Sequence, residues 1–240
     1  MHPVHDPIWS AILAETRQEA QREPALASFL HATILNHATF EAALSFHLAN
    51  KLGSAALSSL LVRELIEQAL RQDASIGNAA RADIQAVFER DSACEAYSLP
   101  FLYFKGFHAL QAYRVAHWLW KQGRKSLAYY FQSHISLSFG VDIHPAARLG
   151  KGLMLDHGTG IVIGGTSVIA DNVKIYQGVT LGALSVDKSL ASTKRHPTIE
   201  EGVVIYAGAT ILGGETTIGR NSVIGGNTWI VESVEPYSVV

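Results

Sequence analysis

Ile161-Val162-Ile163-Gly164-Gly165-Thr166-Ser167-Val168-Ile169-Ala170-Asp171-Asn172-Val173-Lys174-Ile175 carries its apolar residues on two combs, each repeating every six positions. Ile163, Ile169, Ile175 and Leu181 form one comb. Ile143, Leu149, Leu155, Ile161, Ser167, Val173 and Val179 form the other, four residues out of phase. Ile199, Ile205 and Ile211 resume the beat downstream, and Ile218, Ile224 and Ile230 continue it after a one-residue slip. Small or turn-forming residues lie between, as in Ile218-Gly219-Arg220 and Ile224-Gly225-Gly226. A helix requires a period of 3.6 and a hairpin sheet a period of 2. A period of six, sustained over about ten repeats, fits a parallel β-helix in which each short strand sends one apolar residue inward and then turns. Three such strands make one triangular coil.

The beat is interrupted once, at residues 183–198. Leu181 and Ile199 are eighteen positions apart, a whole number of hexads, so a loop there leaves and rejoins the coil in register. Long irregular loops in compact domains are usually functional. This one ends in Lys194-Arg195-His196-Pro197.

Upstream of residue 140 the pattern changes. Sixteen of the twenty glycines lie from Gly140 onward. Glycine is costly inside helices and useful where a chain turns repeatedly, so its distribution divides the chain into helix and coil. No proline occurs between Pro24 and Pro100, and Ala, Leu, Glu and Gln dominate. Asp6-Pro7 reads as an N-cap with proline in the first turn. Ile8, Trp9, Ile12 and Leu13 follow at helical spacing, as do Phe29, Ile34, Phe40, Leu44 and Leu48, then Leu60, Leu61, Leu65, Ile66 and Leu70. A last helix pair spans roughly Gly106 to Phe139, broken near Gly123. The expected fold class is α+β: helical over 1–139, then a parallel β-helix over 140–240 with a loop at 183–198.

Composition narrows the function classes. Of 240 residues, 48% are hydrophobic and 17% charged, with a net charge of −2. That describes a globular chain, with no basic excess for nucleic acid or an anionic membrane. The only cysteine, Cys94, excludes an internal disulfide and a cysteine-rich zinc site. The N-terminus lacks a signal pattern, and no apolar run nears the ~18 residues of a membrane span. A cytoplasmic location is expected.

Val141-Asp142-Ile143-His144-Pro145-Ala146-Ala147, Leu155-Asp156-His157-Gly158-Thr159-Gly160-Ile161 and Arg195-His196-Pro197 carry the candidate chemistry. With Tyr103-Phe104-Lys105-Gly106-Phe107-His108-Ala109-Leu110-Gln111-Ala112-Tyr113-Arg114 and His117-Trp118-Leu119-Trp120, they make the chain resemble the bacterial serine O-acetyltransferases, a branch of the left-handed β-helix acyltransferases. The resemblance spans nearly the whole chain. It implies transfer of an acetyl group from acetyl-CoA to the hydroxyl of L-serine, giving O-acetylserine, a precursor of cysteine. An alcohol must lose its proton as it attacks a thioester, and an imidazole is the default base near neutral pH. The resemblance assigns that role to His157, with Asp142 orienting its ring. It places His196 and Arg195 across a subunit interface, on the serine carboxylate and the developing oxyanion. Asp156 and Asp91 would hold the serine ammonium. CoA would lie against backbone near Gly182, Ala183, Ala207 and Gly208, where small residues admit a ligand.

The same resemblance implies a trimer or a dimer of trimers and feedback inhibition by L-cysteine. It also implies docking to cysteine synthase through a C-terminal tail that this chain does not carry. Gly165 stands where the family usually has Glu, and the 183–194 loop is longer than its glycine-rich counterpart. His144, His157 and His196 can be drawn as three zinc ligands, but the spacing is wrong and Arg195 would repel a cation. No metal is expected. Sugar acetylation and a purely regulatory scaffold are the rival readings, disfavoured by the long helical half and by the complete set of candidate residues respectively.

Overall fold

Each comb becomes a stack of short parallel strands. The computed structural model of the chain describes residues 6–185, 187–190 and 192–240. Sheet 1 stacks β1 (Val141–Ile143), β4 (Ile161–Ile163), β7 (Thr180–Gly182), β10 (Thr210–Leu212) and β13 (Trp229–Ile230). Sheet 2 stacks β2 (Arg148–Leu149), β5 (Val168–Ile169), β8 (Thr198–Ile199) and β11 (Thr217–Ile218), and sheet 3 stacks β3 (Met154–Leu155), β6 (Lys174–Ile175), β9 (Val204–Ile205) and β12 (Val223–Ile224). Every pairing is parallel, and equivalent comb residues lie directly above one another, as in Leu155, Ile175, Ile205 and Ile224. The result is a left-handed parallel β-helix preceded by helices.

The expectation of one inward residue per face needs correction. Val173 and Ile175, Val179 and Leu181, Val203 and Ile205, and Ala209 and Ile211 are all at most 1% exposed. Each face therefore buries two side chains, i and i+2, because a strand side chain returns to the same side every second residue. That is why two combs exist. The turns between faces need left-handed backbone, supplied by glycine and asparagine such as Gly178 (φ 73°) and Asn221 (φ 56°). The loop rejoins in register: Ile199 of β8 pairs with Ile169 of β5, and Ile211 with Leu181.

The chain forms two compact units, Met1–Phe104 and Lys105–Val240. In the second, helices α7 (Lys105–Lys121) and α8 (Lys125–Phe139) pack on the first coil. Gly106 permits this, since a Cβ there would lie 2.0 Å from the carbonyl oxygen of Leu155. The Tyr113 hydroxyl donates to the Ala147 carbonyl, and His117 Nδ1 lies 2.8 Å from that of Pro145. Gly140, at φ 67°, closes α8 and turns the chain into β1.

The first unit holds α1 (Pro7–Arg22), α2 (Ala27–Leu30), α3 (Phe40–Leu52), α4 (Ser59–Gln72), α5 (Ala74–Arg90) and α6 (Ser98–Tyr103). Asp6 caps α1 by accepting from the Trp9 N–H at 3.0 Å, and it also takes Arg81 at 2.7 Å. Trp9, Phe40 and Phe101 pack edge-on or tilted at the centre. The α4 stripe is offset from the expected one: Val62 is buried, whereas Leu60 and Leu61 are 69% and 43% exposed.

Candidate active site

The candidate residues of the second unit divide between two edges that border sheet 1. The first edge joins sheet 3 to sheet 1. There His157 (φ 57°) and Gly158 (φ 79°) turn the chain after β3. Non-glycine residues adopt this backbone at a cost, and such strain concentrates at functional positions. The turn holds the His157 side chain outward, 72% exposed, with Nε2 3.9 Å from Asp156 Oδ1. Asp156 Oδ2 lies 3.2 Å from Lys174 Nζ, and this half-hidden pair is only 15% and 13% exposed. Burial opposes the Lys174 charge, yet hydrogen bonds to Tyr176 and Asp156 hold its pKa above the ordinary lysine value. Tyr176 stacks on Tyr206 at 5.0 Å, and Ala207 and Gly208 follow on the same edge.

The second edge joins sheet 1 to sheet 2. Here Trp120, Tyr129, Gln132, Asp142, His144, Gly164, Gly165, Thr166, Arg195 and His196 line an open pocket of about 460 Å³. Asp142 projects outward from β1 because Val141 and Ile143 take the inward positions. Its Oδ1 accepts from Gln132 Nε2 at 2.7 Å. Thr166 organises the returning loop: Oγ1 accepts the N–H groups of Arg195 and His196 at 2.9 and 3.0 Å. Lys194 Nζ ties the same loop end to the carbonyls of Thr166 and His196. Gly182 and Ala183 also lie on this edge, at the end of β7.

Both imidazoles of this pocket have a fixed tautomer. His196 Nδ1 accepts from the Thr166 N–H at 3.1 Å and lies 2.7 Å from its hydroxyl. That hydroxyl already accepts two N–H groups, so its own hydrogen is free to donate to Nδ1. His144 Nδ1 accepts the Ala146 N–H at 3.0 Å. With Nδ1 an acceptor, the neutral ring carries its proton on Nε2. Burial pushes both pKa values down; Arg195, His144 and Lys194 depress His196 further, while for His144 Asp142 opposes the shift and Arg195 adds to it. The pocket therefore offers two N–H donors and a guanidinium, and neither imidazole has a free lone pair to take a proton.

A serine acetyltransferase of Salmonella typhimurium is 53% identical to this chain over 200 residues, covering 83% of this chain and 72% of the relative. The family described as "Serine acetyltransferase, N-terminal" matches residues 8–112. The chain belongs to the serine acetyltransferase family. The crystal structure of serine acetyltransferase from Vibrio cholerae O1 is similar at a TM-score of 0.95, with 52% identity over 99% of this chain and 90% of that one. Three further solved serine acetyltransferases match at TM-scores of 0.93, 0.93 and 0.91, in complex with serine (Neisseria gonorrhoeae), cysteine and CoA. Their identities are 48%, 50% and 49%, covering 100%, 97% and 97% of this chain and 96%, 94% and 96% of theirs.

In this serine acetyltransferase family member, Asp142, Arg195 and His196 meet in one pocket, while Asp156 and His157 stand on the other edge. Sheet 1 separates the edges: Gly160 to Gly164 spans four extended residues, or ~13 Å. The two pairs assigned to CoA divide likewise, Ala207 and Gly208 on the first edge, Gly182 and Ala183 on the second. Asp91 belongs to the first unit, where it caps α5 and its Oδ1 accepts the Ala93 N–H at 2.9 Å. Among the described residues, no group of three or more His, Cys, Asp or Glu is placed to hold a metal ion, and no helix is long and apolar enough to cross a membrane.

Sequence reasoning missed Thr166, Gln132, Lys174 and the seat of His196. A Cβ at Gly164 would lie 2.0 Å from the His196 ring, so the position must be glycine. A Gly-Gly pair directly after an inward Ile163 was the available signal.

Proposed function

We propose that this protein is a serine O-acetyltransferase whose active site is completed between copies of the chain. Acetyl-CoA and L-serine react to O-acetyl-L-serine and CoA, the first step of cysteine biosynthesis. The serine Oγ–H proton passes to His157 as Oγ attacks the thioester carbonyl. The C–S bond then breaks, and the imidazolium returns the proton to the leaving thiolate. His196 Nε2–H and Arg195 stabilise the oxyanion and the serine carboxylate. Asp142 orients the base; Asp156, with Asp91, receives the serine ammonium. CoA runs along Gly182, Ala183, Ala207 and Gly208, and the protein works in the cytoplasm.

One observation carries this reading. The pocket's imidazoles are both held as donors by Thr166 and Ala146, which supports assigning the base to His157, a sheet's width away. Threefold association that sets the first edge of one copy against the second edge of the next unites the two sets. Pairing of two trimers through the helical units then gives a hexamer.

The purified protein should release free thiol from acetyl-CoA only when L-serine is present, with O-acetylserine identified as product. If millimolar serine is not acetylated, the reading fails, and a sugar acceptor turned over instead would replace it. L-cysteine carries the same ammonium and carboxylate, so it should raise the KM for serine without lowering kcat.

A further inference from the structure

His144 is the one pocket imidazole to which neither the sequence nor the proposed reaction assigns a task. Its ring is held on three sides. Trp120 meets it edge-on at 5.2 Å and Tyr129 at 5.6 Å. The third side is Gly165, where a Cβ would lie 2.8 Å from Nδ1, 3.0 Å from Cγ and 3.1 Å from Cε1. The ring lies flat against that glycine, and a Cβ there would have to displace it. Nδ1 is consumed by the Ala146 N–H at 3.0 Å. Nε2–H makes no hydrogen bond among the described residues, and His144 lines the pocket.

The surroundings decide what this donor is for. Arg195 Nε is buried in the same pocket with no hydrogen-bond partner among the described residues. A buried donor left unpaired is costly, so the site is built for an acceptor that arrives with a ligand. The lining's one carboxylate, Asp142, has Oδ1 turned onto Gln132. Two N–H donors and a guanidinium thus face a single pocket, more than an alcohol alone could use. Resting on the proposed reaction, we infer that His144 is a substrate-binding residue whose Nε2–H, seated by Gly165, joins Arg195 in holding the carboxylate of the amino-acid acceptor. It thereby selects an amino acid over an alcohol that lacks the carboxylate.

Two conservative variants separate binding from structure. His144→Asn keeps an acceptor for the Ala146 N–H but loses the distal donor, whereas His144→Gln carries a donor to about the Nε2 position and loses the proximal acceptor. Hydrogen bonds to charged groups predict that His144→Asn raises the KM for serine about tenfold. Its kcat and its KM for acetyl-CoA should stay near wild type. His144→Gln should remain within a fewfold of wild type in both. For serinamide, which keeps the hydroxyl and amine but not the carboxylate, His144→Asn should cost almost nothing. Gly165→Ala should shift the ring, raise the KM for serine in the same direction and add little to His144→Asn, because both act on the same donor. A wild-type KM for serine in His144→Asn, a Gln variant as impaired as Asn, or an equal loss on serinamide would each overturn the inference. Wild-type turnover of serine is measured first, so that failure of the proposed reaction is read separately.

Discussion

His157 and His196 show how backbone decides what an imidazole can do. His196 is locked by Thr166 with its proton on Nε2, whereas His157 sits on a strained turn with its ring in solvent and its nearest partner, Asp156, 3.9 Å away. The proposed reaction gives the base's role to His157. His157→Ala should therefore lower kcat at least ~10²-fold with little change in the KM for acetyl-CoA, the scale of general-base assistance. Near-normal turnover would refute the assignment. Asp142→Asn should do less harm, since it disturbs orientation and leaves the base in place. His47, in the first unit, makes a contrasting case. It stacks on Phe101, its Nε2 lies 3.2 Å from the Leu102 carbonyl, and burial first, with Lys51 second, pushes its pKa down to about 4. The folded state thus binds this proton less readily than the unfolded chain, whose histidines titrate near 6.5. The stability gained from a neutral His47 is complete above pH ~6.5 and is lost as pH falls toward 4, by up to ~3 kcal/mol. Thermal melts across pH 4–7 should slope less steeply for His47→Phe than for wild type; parallel slopes would show that another group governs the acid limb.

The hexad strands are legible because their signal is local: inward positions i and i+2 on each face repeat on a fixed step, and register follows from stacking like on like. The loop at 183–198 is legible only in its length and its Arg195-His196 ending. What fixes that ending is Thr166, thirty residues before His196 and on the preceding coil, and no periodicity marks such a bond. Thr166→Val removes one acceptor for two N–H groups and one donor to His196 Nδ1. Loss of a few such bonds predicts a fall of roughly 10- to 100-fold in kcat/KM for serine, with Thr166→Ser close to wild type. If Thr166→Val turns over serine normally, the loop end is held by Lys194 and by the chain's close approach at Gly214 instead. Leu60 and Leu61 mark the other limit of local reading. Apolar spacing on α4 fits two adjacent stripes, and packing chose the one through Val62, Leu65, Ile66 and Leu70.

At the scale of the molecule, the width of sheet 1 is the governing length. Motifs that lie fifteen residues apart in sequence, such as Asp142 and His157, fall on the same coil, yet only Asp142 lines the pocket that holds His196. Linear spacing carries no record of which edge a turn will occupy, and so the sequence names the residues without showing how they meet. If the site forms between copies, two inactive variants must complement one another. His157→Ala spoils every first edge and leaves second edges intact; His196→Ala does the reverse. In trimers reassembled at random from equal amounts, a site is whole when an intact first edge meets an intact second edge, which happens in about a quarter of junctions. Co-refolded or co-expressed variants should then recover about a quarter of wild-type kcat, while each alone stays near background. A site contained within one chain gives no whole site in any mixture, because every chain carries one of the two lesions. Activity at the background of the separate variants, in assemblies shown by differential tagging to be mixed, would place His157 and His196 in the same copy's site and end the shared-edge account.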